Sequence, residues 1–245
     1  MQLEELCHFC NDYLKVNEFE DYCPNGLQVE GRSHVTRLVT GVTASLELIE
    51  AAIELDADAI LVHHGYFWKG ESQPLVGYKG NRIRRLMQND ISLLAYHLPL
   101  DAHPIVGNNA QLAERMGWLV TGQQGLIWTG ELIESCSVDR VLEELGDSID
   151  SNPLLISGGD HEVHQLAWCT GAAQSSIEQA AELGADLFIS GEISEHTVHF
   201  AREAGIHYIA AGHHASERYG VQALGELLAR RFGLFHEYVE IDNPA

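Results

Sequence analysis

Two stretches of this chain repeat the same order of residues, and that constrains its fold more than anything else in the sequence. Leu38-Val-Thr40-Gly41 is matched by Trp168-Cys-Thr170-Gly171, and Glu54-Leu-Asp-Ala-Asp58-Ala-Ile-Leu by Glu182-Leu-Gly-Ala-Asp186-Leu-Phe-Ile. Each copy reads strand, Thr-Gly, helix, Ala-Asp, strand. The match continues at Tyr96-His97-x-x-x-Asp101 and Gly212-His213-x-x-x-Glu217, each behind an apolar strand. A duplication with a period of about half the chain predicts an α/β protein. Its two similar, interlocked lobes would have mostly parallel sheets flanked by helices. The lobes are expected at 1–124 and 125–245.

Within the first copy, Ala59-Ile-Leu-Val62 carries no charge and runs into His63-His64-Gly65. Such a run suits a strand covered on both faces of an open parallel sheet. Ligands collect at the carboxyl ends of those strands. Neighbouring strand residues point to opposite sides, so two adjacent histidines suit two metals better than one. The counterpart of His63-His64 in the second copy is Gly191-Glu192. Elsewhere the pattern predicts an amphipathic helix over 2–16, a helix opened by Ser45 as N-cap, and a helix near Arg82–Gln88. Further helices are expected at 109–116 and 138–145. A strand is expected at 125–132, with a last helix over 216–232 and a last strand over 234–241.

Charge narrows the function. Fourteen basic against 36 acidic residues give a formal −22, a field that repels phosphate backbones and attracts divalent cations. A nucleic-acid clamp built from the duplication conflicts with that charge. From Gly65 to Leu100 the balance reverses, because Lys69, Lys79, Arg82, Arg84 and Arg85 outweigh Glu71 and Asp90. Such a patch suits an anionic substrate, or, more plainly, an exposed helix pairing with acidic neighbours. No apolar run reaches the ~18 residues of a membrane span. The acidic start is unlike a signal peptide, so a soluble, cytoplasmic protein is expected. Five cysteines form no disulfide ladder. Cys7-x-x-Cys10 reads as one face of the first helix.

The residues at strand ends are His63, His64, His97, Asp101, His213, His214 and Glu217, with Glu192 a further candidate. Imidazole with carboxylate suits zinc, manganese, iron, cobalt or nickel. Two histidines and one carboxylate per ion leave positions open for water, and a bridging carboxylate would hold two ions ~3.5–4 Å apart.

His63-His64-Gly-x-Phe-Trp68, His97-x-Pro-Leu-Asp101 followed by Gly107-x-Asn109, and Gly212-His213-x-x-Ser216-Glu217-Arg218 together resemble a dinuclear metal-centre family. These are the Nif-three-like proteins, or GTP cyclohydrolase I type 2 homologues. The resemblance runs from about Pro24 to the C-terminus, in the compact form that lacks a middle insertion. It implies a ring-shaped homohexamer with two divalent metal ions per chain. His64 and Asp101 would bind one ion, His63 and His213 the other, and Glu217 would bridge. His97 would stand beside the metals as a general acid or base, or as the group that orients Asp101. Members often carry an aromatic-Asp-Asn-x-Gly-Leu segment. Here Tyr22-Cys23-Pro24-Asn25-Gly26-Leu27 keeps the Asn-Gly-Leu and lacks that Asp.

Two functions from different classes follow. One is a metal-dependent hydrolase whose metal-bound hydroxide attacks a nucleotide or purine ring, C8 of GTP if the family name holds. Tyr66, Phe67 and Trp68 would then stack on the base, and Lys69 or Arg82 would hold phosphate. Packing is the plainer reading for at least two of the three aromatics. The other is a non-catalytic, metal-binding scaffold or regulator that works through protein partners. Open coordination positions favour the first; a fully protein-ligated metal pair favours the second.

Overall fold

The computed structural model describes residues 1–245. The chain begins with α1 (Leu3–Tyr13), β1 (Gly26–Val29), β2 (Arg37–Thr43), α2 (Leu46–Glu54), β3 (Ala59–His64) and α3 (Gly77–Gln88). Next come β4 (Ser92–Ala95), α4 (Leu98–Ala102), α5 (Asn108–Met116), β5 (Leu119–Gln124), β6 (Ile127–Cys136) and α6 (Val138–Ile149). They are followed by β7 (Leu154–Ile156), β8 (Val163–Cys169), α7 (Ile177–Glu182), β9 (Leu187–Ser190) and α8 (Glu195–Ala204). The chain closes with β10 (His207–Ala210), α9 (His213–Ser216), α10 (Arg218–Phe232) and β11 (Phe235–Tyr238). This is an α/β protein with two sheets flanked by helices. No helix is long and apolar enough to cross a membrane.

The chain divides into Met1–Gly107 with Gly220–Asp242, and Asn108–Tyr219 with Asn243–Ala245. The border thus falls earlier than residue 124, and the last strand and most of the last helix belong to the first unit. Packing explains both shifts. Leu112 and Ala113 of α5 join Trp118, Trp128 and Trp168 in a core of the second unit. β11 lies parallel to β2 with Leu38 opposite His236, and Val221, Leu224 and Leu228 of α10 fill a core of the first.

The first sheet has the order β1-β4-β3-β2-β11, parallel except for β1 at its edge. Alternation along its strands feeds two cores. Leu38, Leu61 and Leu94 pack with α1 and α10, and Val39, Ile60, Val62 and Leu93 with α2 and α3. Each fully buried aliphatic side chain stabilises by roughly 1.5–3 kcal/mol. Ser45 caps α2 by accepting from Leu48 N–H at 3.1 Å. Gly41 lets the helix close on the sheet, since a Cβ there would lie 2.7 Å from Leu48 Cδ2. Cys7 and Cys10 are unbridged on α1, with Cys10 buried in its apolar face.

The second sheet has the order β5-β6-β8-β9-β10-β7. Its centre, β8-β9-β10, is parallel, as β2-β3-β4 is, and β7 takes the antiparallel edge place of β1. It is more mixed than the first because the β5–β6 hairpin pairs antiparallel with β8. The sequence pattern showed one strand where the hairpin lies.

Asp58 and Asp186 explain the repeated Ala-Asp. Asp58 Oδ2 accepts from Thr36 N–H, Thr36 Oγ1 and Arg37 N–H at 2.7, 2.7 and 2.9 Å. Asp186 Oδ2 accepts from His164 and Gln165 N–H at 2.9 and 2.8 Å. Each carboxylate ties the start of one strand to the start of its neighbour. This pairing also corrects the match between the copies. The register sets Leu38 against Leu166, two residues away from the Thr-Gly match, and makes Gly171 the counterpart of Thr43. It keeps His63-His64 opposite Gly191-Glu192. At the next strand end the repeat slips by one. Tyr96 N–H donates to Val62 O and Ala211 N–H to Ser190 O, so His97 stands where Gly212 does, not His213.

Candidate metal centre

In the first unit, His63 and His64 end β3. The pleat sends them to opposite faces, yet their ring centroids are only 4.7 Å apart. His97 follows β4, with its ring 5.1 Å from His63 and 5.7 Å from His64. One ring nitrogen from each of the three lies within 4.8 Å of the others. His63 is fully buried, and its Nδ1–H donates to the Tyr96 carbonyl at 2.9 Å. A carbonyl only accepts, so the His63 lone pair is on Nε2. That nitrogen faces Asp101 Oδ1 at 3.4 Å. Asp101 reaches it from α4, whose first turn starts at His97. The resemblance assigns Asp101 to His64, whereas the geometry places it against His63. His64 has Nδ1 3.2 Å from Thr43 Oγ1.

In the second unit, one helical turn spaces His213 and Glu217 so that Nε2 and Oε2 are 3.1 Å apart. His213 Nδ1–H donates to Glu192 Oε1 at 2.7 Å. Burial opposes charge on this imidazole, but Glu217 and Glu192 outweigh it and hold the pKa up at about 9. Gly171 (φ +70°) makes room for the carboxylate, because a Cβ there would overlap Glu217 Oε1. Its N–H donates to Ser216 Oγ at 3.1 Å.

Both pairs suit a divalent ion. Each offers an imidazole nitrogen and a carboxylate oxygen 3.1–3.4 Å apart, a separation compatible with bonds of ~2.0–2.2 Å to one ion. In each, the far ring nitrogen is anchored, the outer support found on metal-binding histidines. Glu192 supplies that support as a carboxylate, the one role for it that spacing alone did not reveal.

His97 does not orient Asp101. Its Nδ1–H donates to Asp21 Oδ1 at 2.7 Å, and its backbone N–H to Asn25 Oδ1 at 2.7 Å. Asp21 went unnoticed in the sequence because it lies 76 residues from His97, outside any local motif. Burial would raise the Asp21 pKa. Bonds from His97 and Asn25, the His97 charge and the Tyr22 N–H outweigh it and hold it at about 2. Cys23 is buried nearby, its thiol pushed up to about 12 by desolvation and by Asp21.

The expected substrate residues separate. Trp68 is at the cluster, its ring edge-on to His97 at 5.0 Å and its Nε1–H donating to Gly65 O at 3.2 Å. Tyr66 is in the core and donates its hydroxyl proton to Ala44 O at 2.7 Å, so it is not open to stacking. Phe67 carries Lys79 Nζ 4.9 Å from its centroid. Lys69 is exposed, and Arg82 lies over the exposed Tyr78 ring at 5.2 Å. The basic stretch is partly neutralised. Lys79 pairs with Glu71 at 2.9 Å, and Arg85 forks onto Glu50 at 2.7 and 2.5 Å.

Fold and donor chemistry together define an α/β protein with imidazole–carboxylate pairs, able to hold metal ions, at the strand ends of each unit. The model of the family Duf34/NIF3 (NGG1p interacting factor 3) matches residues 1–244, and the chain belongs to that family. It is 53% identical to a GTP cyclohydrolase 1 type 2 homolog of Allochromatium vinosum, covering 99% of this chain and 97% of that protein. The protein of the same description from Escherichia coli K12 is 48% identical, over all of both chains. A solved structure described as protein ybgI, of unknown function, superposes over all of both chains with a TM-score of 0.98 at 48% identity.

Proposed function

We propose that this protein is a metal-dependent hydrolase of the GTP cyclohydrolase type 2 kind, acting on a nucleotide or purine ring. The observation that carries the reading is the pair of anchored histidines, His63 with Asp101 and His213 with Glu217, each presenting a nitrogen beside a carboxylate. His64 completes the donor set, and Glu217 takes the bridging place that the family resemblance implies. Divalent ions bound there would supply Lewis acidity and lower the pKa of water to about 7. His97 moves the proton at its Nε2, and Trp68 offers the face against which a base stacks. Lys69 is free to meet phosphate. The descriptions of its relatives as GTP cyclohydrolase 1 type 2 homologs support the substrate class. We also propose the ring-shaped hexamer that the resemblance implies, which native mass spectrometry reads directly.

The test is metal content per chain, paired with formate release from GTP after loading with manganese, zinc or iron. Two ions with formate released support the reading. Two ions without GTP chemistry keep the centre and move the search to other nucleotides and small amides. A chain that takes up no metal refutes it. Glu217→Gln is expected to lower metal content at both ions; unchanged content removes the bridge.

A further inference from the structure

We propose that Asp21 is a positioning residue that holds His97 in the tautomer whose Nε2 is free for proton transfer. The inference rests on the reading above only in assigning that proton transfer to His97.

Asp21 lies between α1 and β1, and its side chain is 3% exposed. All of its accepting capacity is committed. Oδ1 takes the Tyr22 N–H at 2.6 Å and the His97 Nδ1–H at 2.7 Å. Oδ2 takes the Asn25 amide at 2.8 Å and the Leu98 N–H at 3.0 Å. Asn25 in turn accepts the His97 backbone N–H, so this short loop grips both the ring and the backbone at the start of α4. An ionised carboxylate only accepts, and therefore the proton of a neutral His97 sits on Nδ1.

What remains is Nε2, which makes no hydrogen bond within the chain, on a ring beside His63, His64 and Trp68. This is the logic of a carboxylate behind a catalytic imidazole: it sets tautomer and direction without touching substrate. Asp21, Cys23 and His97 also bring three donor atoms within 4.8 Å of one another. A metal set there would compete with four hydrogen bonds already made by Asp21, so the arrangement serves orientation better than ligation. The carboxylate that meets His97 comes from Asp21, just before the aromatic Tyr22, and not from position 23.

The tautomer can be read directly in the metal-free protein by nitrogen–proton correlation spectra of the His97 ring, in the full chain and in Asp21→Asn. We expect the proton on Nδ1 in the parent and a large shift of population to Nε2 in Asp21→Asn. Asp21→Glu should restore the parent signature, and it serves as the second variant if Asp21→Asn folds poorly. An unchanged tautomer in Asp21→Asn overturns the proposal. So does loss of bound metal, which would make Asp21 a ligand. In formate release from GTP, kcat should fall about tenfold or more with KM little changed, within the ~10²–10⁴-fold range of general acid–base catalysis. Adding Asp21→Asn to His97→Ala should cost nothing further. If GTP is not turned over at all, the substrate reading fails while the tautomer still decides the role of Asp21.

Discussion

The two units build the same strand end with different chemistry. In the first, the histidine that faces a carboxylate is tied back to a backbone carbonyl, Tyr96 O; in the second it is tied to a further carboxylate, Glu192. A carbonyl fixes the ring without adding charge. A carboxylate fixes it and makes it more basic, and together with Glu217 it holds the His213 pKa up at about 9. The same contrast appears one strand over. Thr43 supports His64 through its hydroxyl, whereas its counterpart Gly171 has no side chain and gives that space to Glu217. A duplicated frame has thus been fitted out in one copy with histidines at the strand end, and in the other with carboxylates.

Substitutions at matched positions test this contrast, and the largest effect is expected at the glycine. Gly171→Ala should displace Glu217 and abolish metal binding by its pair, while Thr43→Ala leaves metal bound with weaker affinity. Elemental analysis of both proteins settles the order, and full metal content in Gly171→Ala would break the comparison. Next, Glu192→Gln should weaken metal affinity by about 10–100-fold, the usual cost of losing an outer carboxylate. Chelator competition measures it, and no change would mean that Glu192 merely neutralises His213.

Smaller effects are expected at the paired aspartates. Asp58→Asn should cost about 2–3 kcal/mol and Asp186→Asn about 1 kcal/mol, because Asp58 also holds Thr36 Oγ1 and Arg32. Denaturant titration reads both; equal losses would show that the extra partners contribute nothing. The Asp58 effect should also depend on pH. Burial would raise its pKa, but the bonds from Thr36, Arg37 and Arg32 outweigh that and hold it below the usual carboxylate range. A lowered folded pKa means stability that is present above the unfolded value of about 3.9 and is lost as pH falls through the folded one. The gap between the parent and Asp58→Asn should therefore close below about pH 4.

Much of this was legible in the chain, and the misses have physical causes. The repeat, the strand before His63, the Ser45 cap and the His-x-x-x-carboxylate spacing are local, and local spacing is what a sequence displays. The Thr-Gly match misled because identical residues suggested a register that backbone pairing sets two residues away. β5 was hidden because all but one of its residues are exposed and it has no apolar face to alternate. Asp21 acts across 76 residues, and a single acid has no periodicity to mark it. Glu192 stood out as a candidate at a strand end, but its partner His213 lies 21 residues away, beyond any local spacing. The unit border was misplaced because α5 fits either core by pattern, and only packing against Trp168 decides.

The return of the last helix and strand to the first sheet has a consequence for how the protein is made. A chain emerging from the ribosome ordinarily completes its leading domain first. Here the first sheet lacks β11, the partner of β2, until residues near 238 have been synthesised. Before that point the middle segment lacks only Asn243–Ala245, while the leading segment waits with one strand edge uncovered. An interrupted translation product would thus carry a nearly complete second unit behind a first one that lacks a strand.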